Sequence, residues 1–137
     1  MDQELSNLTV VVVDEAPSFR SLVSQLLRRK GAEVFTVSNI RDGTEAFIRE
    51  RPDFVFVDLH LPHGDSFELL ARIRNLDAET GRKTHVIAMN SLSDTLANRY
   101  AVTSGFYSIL GKPFVLQQLL ETIAKALQSN DKFNRVS

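Results

Sequence analysis

The 137-residue chain has no cysteine and no tryptophan. The first absence removes disulfides, thiolate metal sites and cysteine nucleophiles from consideration. Long apolar runs are missing too, and no stretch approaches the ~20 residues that cross a bilayer. The opening Met1-Asp2-Gln3-Glu4-Leu5-Ser6-Asn7 is acidic and polar, unlike a secretory signal. Neither sign of charge is in excess, since sixteen basic and seventeen acidic residues leave a net charge of −1. Nothing global therefore draws the chain to nucleic acid or to an anionic membrane surface. Glycine is scarce, six in all, and no P-loop, G-x-G-x-x-G or G-x-S-x-G pattern occurs. The first strand-to-helix loop carries acids and Pro17 where a nucleotide-binding loop needs glycines. The expectation is a soluble cytoplasmic domain with no direct nucleic-acid partner and no membrane partner.

What is present reads as one hydrophobic core. Hydrophobic residues make up 43% of the chain and charged residues 24%, the profile of a globular domain. Five short apolar runs, Leu8–Val13, Glu33–Val37, Asp53–Val57, His85–Met89 and Tyr107–Leu110, read as strands, several of them apolar on both faces. Helical spacing fills the gaps between them. Phe19, Leu22, Val23, Leu26 and Leu27 form one stripe, closed by Arg28-Arg29-Lys30-Gly31. A second helix runs from Ile40 to about Arg51, capped by Ser38 or Asn39, with Ile40, Phe47 and Ile48 inward. The third is expected over Ser66–Leu76 with Ser66 as cap, and Asp77–Lys83 as a polar connector. The fourth, Ser93–Thr103, has only Leu96, Tyr100 and Ala101 as inner positions, so it is expected to be the least firmly packed. Leu116, Leu119, Leu120, Ile123 and Leu127 make the last helix. Residues 1–7 read as an N-terminal extension, 8–128 as the domain and 129–137 as a polar C-terminal tail. Strand and helix alternating five times imply a parallel sheet covered on both faces.

The chemistry is expected at the carboxyl ends of the strands, where ligands bind in open α/β sheets. The first run ends in Asp14-Glu15 and the third in Asp58. Adjacent strands would bring these three carboxylates together, and like charges that close must protonate or hold a cation. Hard oxygen ligands suit Mg²⁺. Taken singly, each residue has a plainer account. Asp14 or Glu15 serves a helix N-terminus, Asp58 an Asx turn, and Lys112 is a solvated charge. Jointly they place two acids, one acid and a base at the ends of three buried strands. His60, His63 and His85 lack metal-ligand spacing and read as ordinary histidines.

These residues resemble the receiver domain of two-component response regulators. The motifs that carry the likeness are Val12-Val13-Asp14-Glu15, Phe56-Val57-Asp58-Leu59-His60-Leu61-Pro62 and Gly111-Lys112-Pro113-Phe114, in register over about Leu8 to Gln128. The resemblance implies a CheY-like, flavodoxin-like (βα)5 doubly wound parallel sheet of strand order 2-1-3-4-5. It implies a phosphoacceptor role for Asp58 and a phosphoryl-pairing role for Lys112. Mg²⁺ would be held by Asp14, Glu15, Asp58 and the backbone carbonyl of His60. A cis Lys112–Pro113 bond is expected with the motif. The implied partner is a sensor histidine kinase or a histidine phosphotransfer protein. The signal would pass through protein contacts of the fourth-strand to fifth-helix surface to an effector that the sequence does not name. Such a protein is a signalling phosphoacceptor and not an independent enzyme, and homodimers through the fourth and fifth helices are common in the family. With no effector domain after Leu127, the chain reads as a stand-alone receiver or as the receiver piece of a longer protein.

Two positions depart from the family pattern. Asn90 stands where the resemblance calls for Ser or Thr, and Ile109 where Tyr or Phe is usual. Asn90 keeps a hydrogen-bond donor but not the hydroxyl geometry, and Ile109 has no ring to swing inward. These departures leave a second reading open, a pseudo-receiver that works as a phosphorylation-independent interaction module.

Overall fold

The structure is a computed structural model that describes residues 4–62 and 64–136, with side chains as far as Ser129. His63 lies outside the described residues. The elements follow in the order β1 (Thr9–Val13), α1 (Pro17–Arg29), β2 (Glu33–Val37), α2 (Ile40–Glu50) and β3 (Phe54–Asp58). They continue as α3 (Ser66–Thr80), β4 (His85–Asn90), α4 (Thr95–Ser104), β5 (Ser108–Gly111) and α5 (Leu116–Val136). The strands form one sheet in the order β2-β1-β3-β4-β5, every pair parallel. This is the flavodoxin-like order that the motifs imply. Among the described residues no helix is long and apolar enough to cross a membrane.

Alternation along the strands divides the core in two. Val10, Val12, Phe54, Phe56, Ile87 and Met89 face α1 and α5, where Val23, Leu27, Leu119 and Ile123 meet them. Val11, Val13, Val55, Val57, Val86 and Ala88 face the other way, onto Phe47, Leu69, Leu70, Ile73 and Ala101 of α2, α3 and α4. The central strands are thus apolar on both faces because both faces are covered. Each fully buried Leu, Ile or Phe contributes roughly 1.5–3 kcal/mol by leaving water. Gly43 lets α2 lie close to β1, since a Cβ there would come within 3.0 Å of the Val13 side chain.

Several expected details differ. Leu22 and Ile48, assigned to inner stripes, are exposed, and the inner positions of α2 are Ile40, Gly43, Ala46 and Phe47. The apolar period identifies a face but not its width, and here the helices rest on a narrower seam. On α4, Leu96 and Tyr100 are 79% and 62% exposed, leaving Ala101 as its buried residue. That agrees with the expectation of weak packing. Asp65, not Ser66, caps α3, because its side chain accepts the Phe67 N–H at 2.8 Å. The same helix runs on to Thr80 through part of the expected connector, where buried Asp77 accepts from the Thr84 N–H (2.7 Å) and hydroxyl (3.0 Å). At the N-terminus Leu5 is buried, with its N–H on the Lys30 carbonyl at 2.7 Å. The segment before β1 therefore folds back onto the end of α1. Helix α5 continues past Gln128 to Val136, through most of the segment read as a tail.

His85 opens β4 with its ring stacked on Phe54 and edge-on to Tyr107, both at 5.1 Å between centroids. Burial first, then the nearby cations Lys83 and Arg74, hold its pKa below the ordinary 6.5, with Asp53 opposing. A depressed folded pKa means that the unfolded chain takes up the proton first as pH falls through about 6.5. Stability is therefore present above that pH and is lost below it. Urea unfolding at pH 7.5 and 5.5 is expected to show a smaller acid loss in His85→Phe, which keeps an aromatic ring between Phe54 and Tyr107. An equal loss in both proteins would remove His85 as the titrating group.

Candidate functional site

Three strand ends build the site. Asp14 follows β1 directly, Asp58 closes β3, and Lys112 follows β5. The register Val13↔Val57 sets the two aspartates side by side. Lys112 comes from beyond β4, where its N–H bonds the Asn90 carbonyl at 2.8 Å. Its ammonium donates to Asp14 Oδ2 at 2.5 Å and to Asp58 Oδ2 at 3.0 Å. It also lies 4.1 Å from the centre of the Phe19 ring, which packs edge-on against Phe114 at 5.5 Å. The Lys112–Pro113 peptide is cis, as the motif implies.

The two carboxylates have different surroundings. Asp14 is 1% exposed, and its Oδ1 accepts the Ala16 N–H at 2.9 Å. The Asp58 side chain is 17% exposed, and its Oδ1 accepts the His60 N–H at 2.8 Å. Asp58 is thus the accessible acid, and Asp14 the buried acid behind it. Burying a carboxylate is costly unless it is paired and hydrogen-bonded, and the ammonium and the Ala16 amide meet that requirement. Ser66 ties the backbone of Asp58 from α3, its hydroxyl donating to the Asp58 carbonyl at 2.6 Å. Arg20 closes the β1–α1 loop by donating to the carbonyls of Asp14 (2.6 Å) and Glu15 (2.8 Å).

Glu15 and Asn90 sit differently from expectation. The Glu15 side chain is exposed and lines a separate shallow groove with Ser38, Asn39 and Pro62. Among the described residues no three acidic or imidazole groups converge as a ready metal cage. The expected meeting of three carboxylates is therefore a meeting of two, with the Lys112 ammonium as the cation between them. The donor set still suits Mg²⁺, which typically takes one or two carboxylates and keeps several waters instead of filling an all-protein cage. The Asn90 amide turns toward α4, donating to Asp94 Oδ2 at 3.2 Å and Asn98 Oδ1 at 2.8 Å. Asn98 returns a bond to the Ser91 carbonyl at 2.9 Å, and the His60 ring nitrogen lies 3.1 Å from the same Asp94 oxygen. The Asn90 amide, then His60, hold the Asp94 carboxyl below the usual carboxylate range. Ile109 packs half-buried against the α2–α4 side of the core.

Sequence reasoning did not find the roles of Ser66, Arg20, Asp94 and Asn98. Asp94 and Asn98 stand four apart at the start of a helix, which is a weak signal. Nothing in the sequence pairs them with His60 or Asn90.

A doubly wound five-stranded parallel sheet with an Asp–Asp–Lys cluster at its carboxyl edge places the chain in the class of flavodoxin-like α/β domains. Residues 10–124 match the model of the response regulator receiver domain, and the chain belongs to that family. It is 30% identical over 121 residues to an uncharacterized 14.6 kDa protein of Leptolyngbya boryana, covering 88% of this chain and 91% of the relative. It is 28% identical over 137 residues to Protein PilG of Pseudomonas aeruginosa, covering all of both chains. By contrast it spans only 16% of the length of the sensory/regulatory protein RpfC of Xanthomonas campestris, at 29% identity over 118 residues and 86% of this chain. A chain of the co-crystal structure of the Saccharomyces cerevisiae phosphotransfer protein Ypd1 with the receiver domain of Ssk1 shares the fold. There the TM-score is 0.78 at 20% identity, over 86% of this chain and 87% of that one. Receiver domains are signalling modules, interact with histidine kinases or phosphotransfer proteins, and typically bind Mg²⁺ at the phosphorylation site.

Replacing Lys112 by Ala leaves Asp14 buried beside Asp58 with no cation between them. The expected loss is about 1–3 kcal/mol of stability, less than for a fully buried pair because Lys112 is 25% exposed. A fall in the urea midpoint checks this, and an unchanged midpoint would mean that the ammonium does not hold the acids together.

Proposed function

We propose that the protein accepts a phosphoryl group on Asp58 from a histidine kinase or histidine phosphotransfer protein and relays the signal by protein contacts. The observation that carries this reading is the Lys112 ammonium, placed within hydrogen-bond distance of both Asp58 and Asp14. Attack of a carboxylate on a phosphoryl group brings two anions together, so fixed positive charge must already be in place. An Asp58 oxygen forms the new O–P bond while the N–P bond to the donor's imidazole breaks and leaves its electron pair on nitrogen. Lys112 releases Asp58 Oδ2 and pairs with a phosphoryl oxygen as a point charge. The His60 N–H and the Ser66 hydroxyl hold the Asp58 backbone and side chain in place for attack.

Asp14, Glu15, Asp58 and the His60 carbonyl are the oxygen donors that would hold Mg²⁺. The ion supplies further charge neutralisation and orients the phosphoryl oxygens. Glu15, exposed just after β1, would be the outermost of these donors. Asn90 is the polar side chain at the end of β4, in place of a hydroxyl. The output surface is the face of α4, β5 and α5, where Leu92, Leu96, Tyr100 and Val115 are exposed. Exposed apolar side chains gathered on one face suit a protein partner or a second copy of the chain.

The turn of the Asn90 amide toward α4 favours a second reading, a pseudo-receiver that binds partners without being phosphorylated. Incubation with Mg²⁺ and acetyl phosphate followed by intact mass separates the two. A gain of one phosphoryl group, absent in Asp58→Asn and without metal, is the expected result. Label that persists in Asp58→Asn would overturn the assignment of Asp58. Absence both of label and of saturable Mg²⁺ binding would favour the pseudo-receiver.

A further inference from the structure

Neither Asn90 nor Ile109 offers a hydroxyl or a ring to carry a change at Asp58 outward, yet a continuous polar chain leaves Asp58 by another route. The His60 N–H donates to Asp58 Oδ1 at 2.8 Å, and the His60 ring nitrogen lies 3.1 Å from Asp94 Oδ2. The same Asp94 oxygen accepts from Asn90, which also donates to Asn98, and Asn98 bonds the Ser91 carbonyl. Asp94 is the residue that begins α4 and Asn98 lies in its first turns. One residue, His60, therefore reads the acceptor carboxylate with its backbone and holds the start of α4 with its side chain. Helix α4 is also the helix with the fewest buried residues, Ala101 alone. A few polar bonds make up a large share of what positions it.

We propose that the His60–Asp94 contact is a latch that couples the state of Asp58 to the position of α4, replacing a hydroxyl-and-aromatic relay. The proposal rests on Asp58 being the phosphoacceptor. When Asp58 is phosphorylated, one of its oxygens becomes the bridging oxygen of an acyl phosphate and the other a neutral carbonyl oxygen. The donor's bond to phosphorus breaks and the donor keeps the electron pair, so no other reactant is needed. The His60 N–H then loses its anionic acceptor, and charge-assisted hydrogen bonds are about twice as strong as neutral ones. The backbone at His60 relaxes, its ring leaves Asp94, and the Asn90–Asp94–Asn98 cluster reorders the start of α4. The His60 and Asp94 side chains are 65% and 38% exposed. A contact that exposed is weak, which lets a change in one hydrogen bond at Asp58 decide whether it is made.

The test follows backbone amides by NMR on the full ¹⁵N-labelled chain with Mg²⁺, before and after acetyl phosphate, with intact mass run in parallel. In the wild type the amides of His60 and of Thr95–Ser104 are expected to shift on phosphorylation. Asp94→Ala should take up the phosphoryl group to the same extent and keep the His60 response. Its α4 shifts should shrink about threefold or more, the scale of a coupling network cut at one node. Asp94→Asn, which keeps one acceptor oxygen, should fall between the two. His60→Phe cuts the same contact from the other side and must also lose the α4 response, which keeps the test decisive should Asp94→Ala fail to fold. Wild-type α4 shifts in the cut variants, or α4 amides that do not move in labelled wild type, would overturn the latch. Failure of the wild type to gain a phosphoryl group would instead overturn the acceptor reading, and the latch with it.

Discussion

The structure depends on one ammonium group held between two aspartates. Asp14 is almost wholly buried, and burying a carboxylate is costly without a cation and a hydrogen-bond donor close by. Lys112 supplies the cation, and supplying it constrains the topology. The lysine must leave the end of β5, cross the end of β4 and still reach strand ends β3 and β1. A sheet with β1 and β3 adjacent, and β4 and β5 next in line, brings the three residues together. The two apolar faces keep that sheet in register, so the hydrophobic core and the charged site support one another. The core fixes the distances, and the site makes the buried acid tolerable.

How much of this could be read in the sequence follows from what each signal measures. The strand runs are continuous and end in Asp14, Asp58 and Lys112, so both strand order and site chemistry are legible from residue type and position alone. Side-chain partnership beyond the strand ends is not. Glu15 follows Asp14 by one residue, yet it turns out toward Ser38 and Pro62 because the chain is already bending into α1. Ser66 reads as a helix cap by type, but Asp65 one residue earlier takes that place and frees the Ser66 hydroxyl for the Asp58 carbonyl. Leu22 and Ile48 obey the helical period and are nonetheless exposed, because periodicity gives direction and the neighbouring elements decide depth. His60 and Asp94 are 34 residues apart in sequence. Their contact is a property of tertiary placement that no local pattern announces.

Firmness is unevenly distributed around the site. On the α1–α5 side, Phe19 lies under the Lys112 ammonium with Phe114 edge-on to it, and both rings pack on the core that holds Leu119 and Ile123. On the opposite flank α4 has little apolar contact and exposes Leu96, Tyr100 and Val102. In the proposed function, a charge change at Asp58 meets a well-buried core on one side and a helix with one buried residue on the other. Elements that move on signalling are drawn from the least stable parts of a fold. The gradient points the response toward α4 whichever side chains transmit it.

In the proposed function, the chemistry of phosphoryl acceptance and the means of transmitting it are separable. Acceptance needs Asp58, a cation and oxygen donors at the strand ends, and those depend on β1, β3 and β5. Transmission depends on what stands at the end of β4 and on the loop after β3, and there Asn90 binds α4 instead of facing the acceptor. A hydroxyl can follow an incoming phosphoryl oxygen because it rotates about a single bond and is small. A carboxamide already donating to Asp94 and Asn98 must break two bonds to do the same. The lower-cost path keeps Asn90 in place and alters its neighbour His60, whose backbone already touches Asp58. With the latch proposed above, an Asn at this position moves the switching role from the end of β4 to the β3–α3 loop, while leaving the acid–acid–lysine site intact.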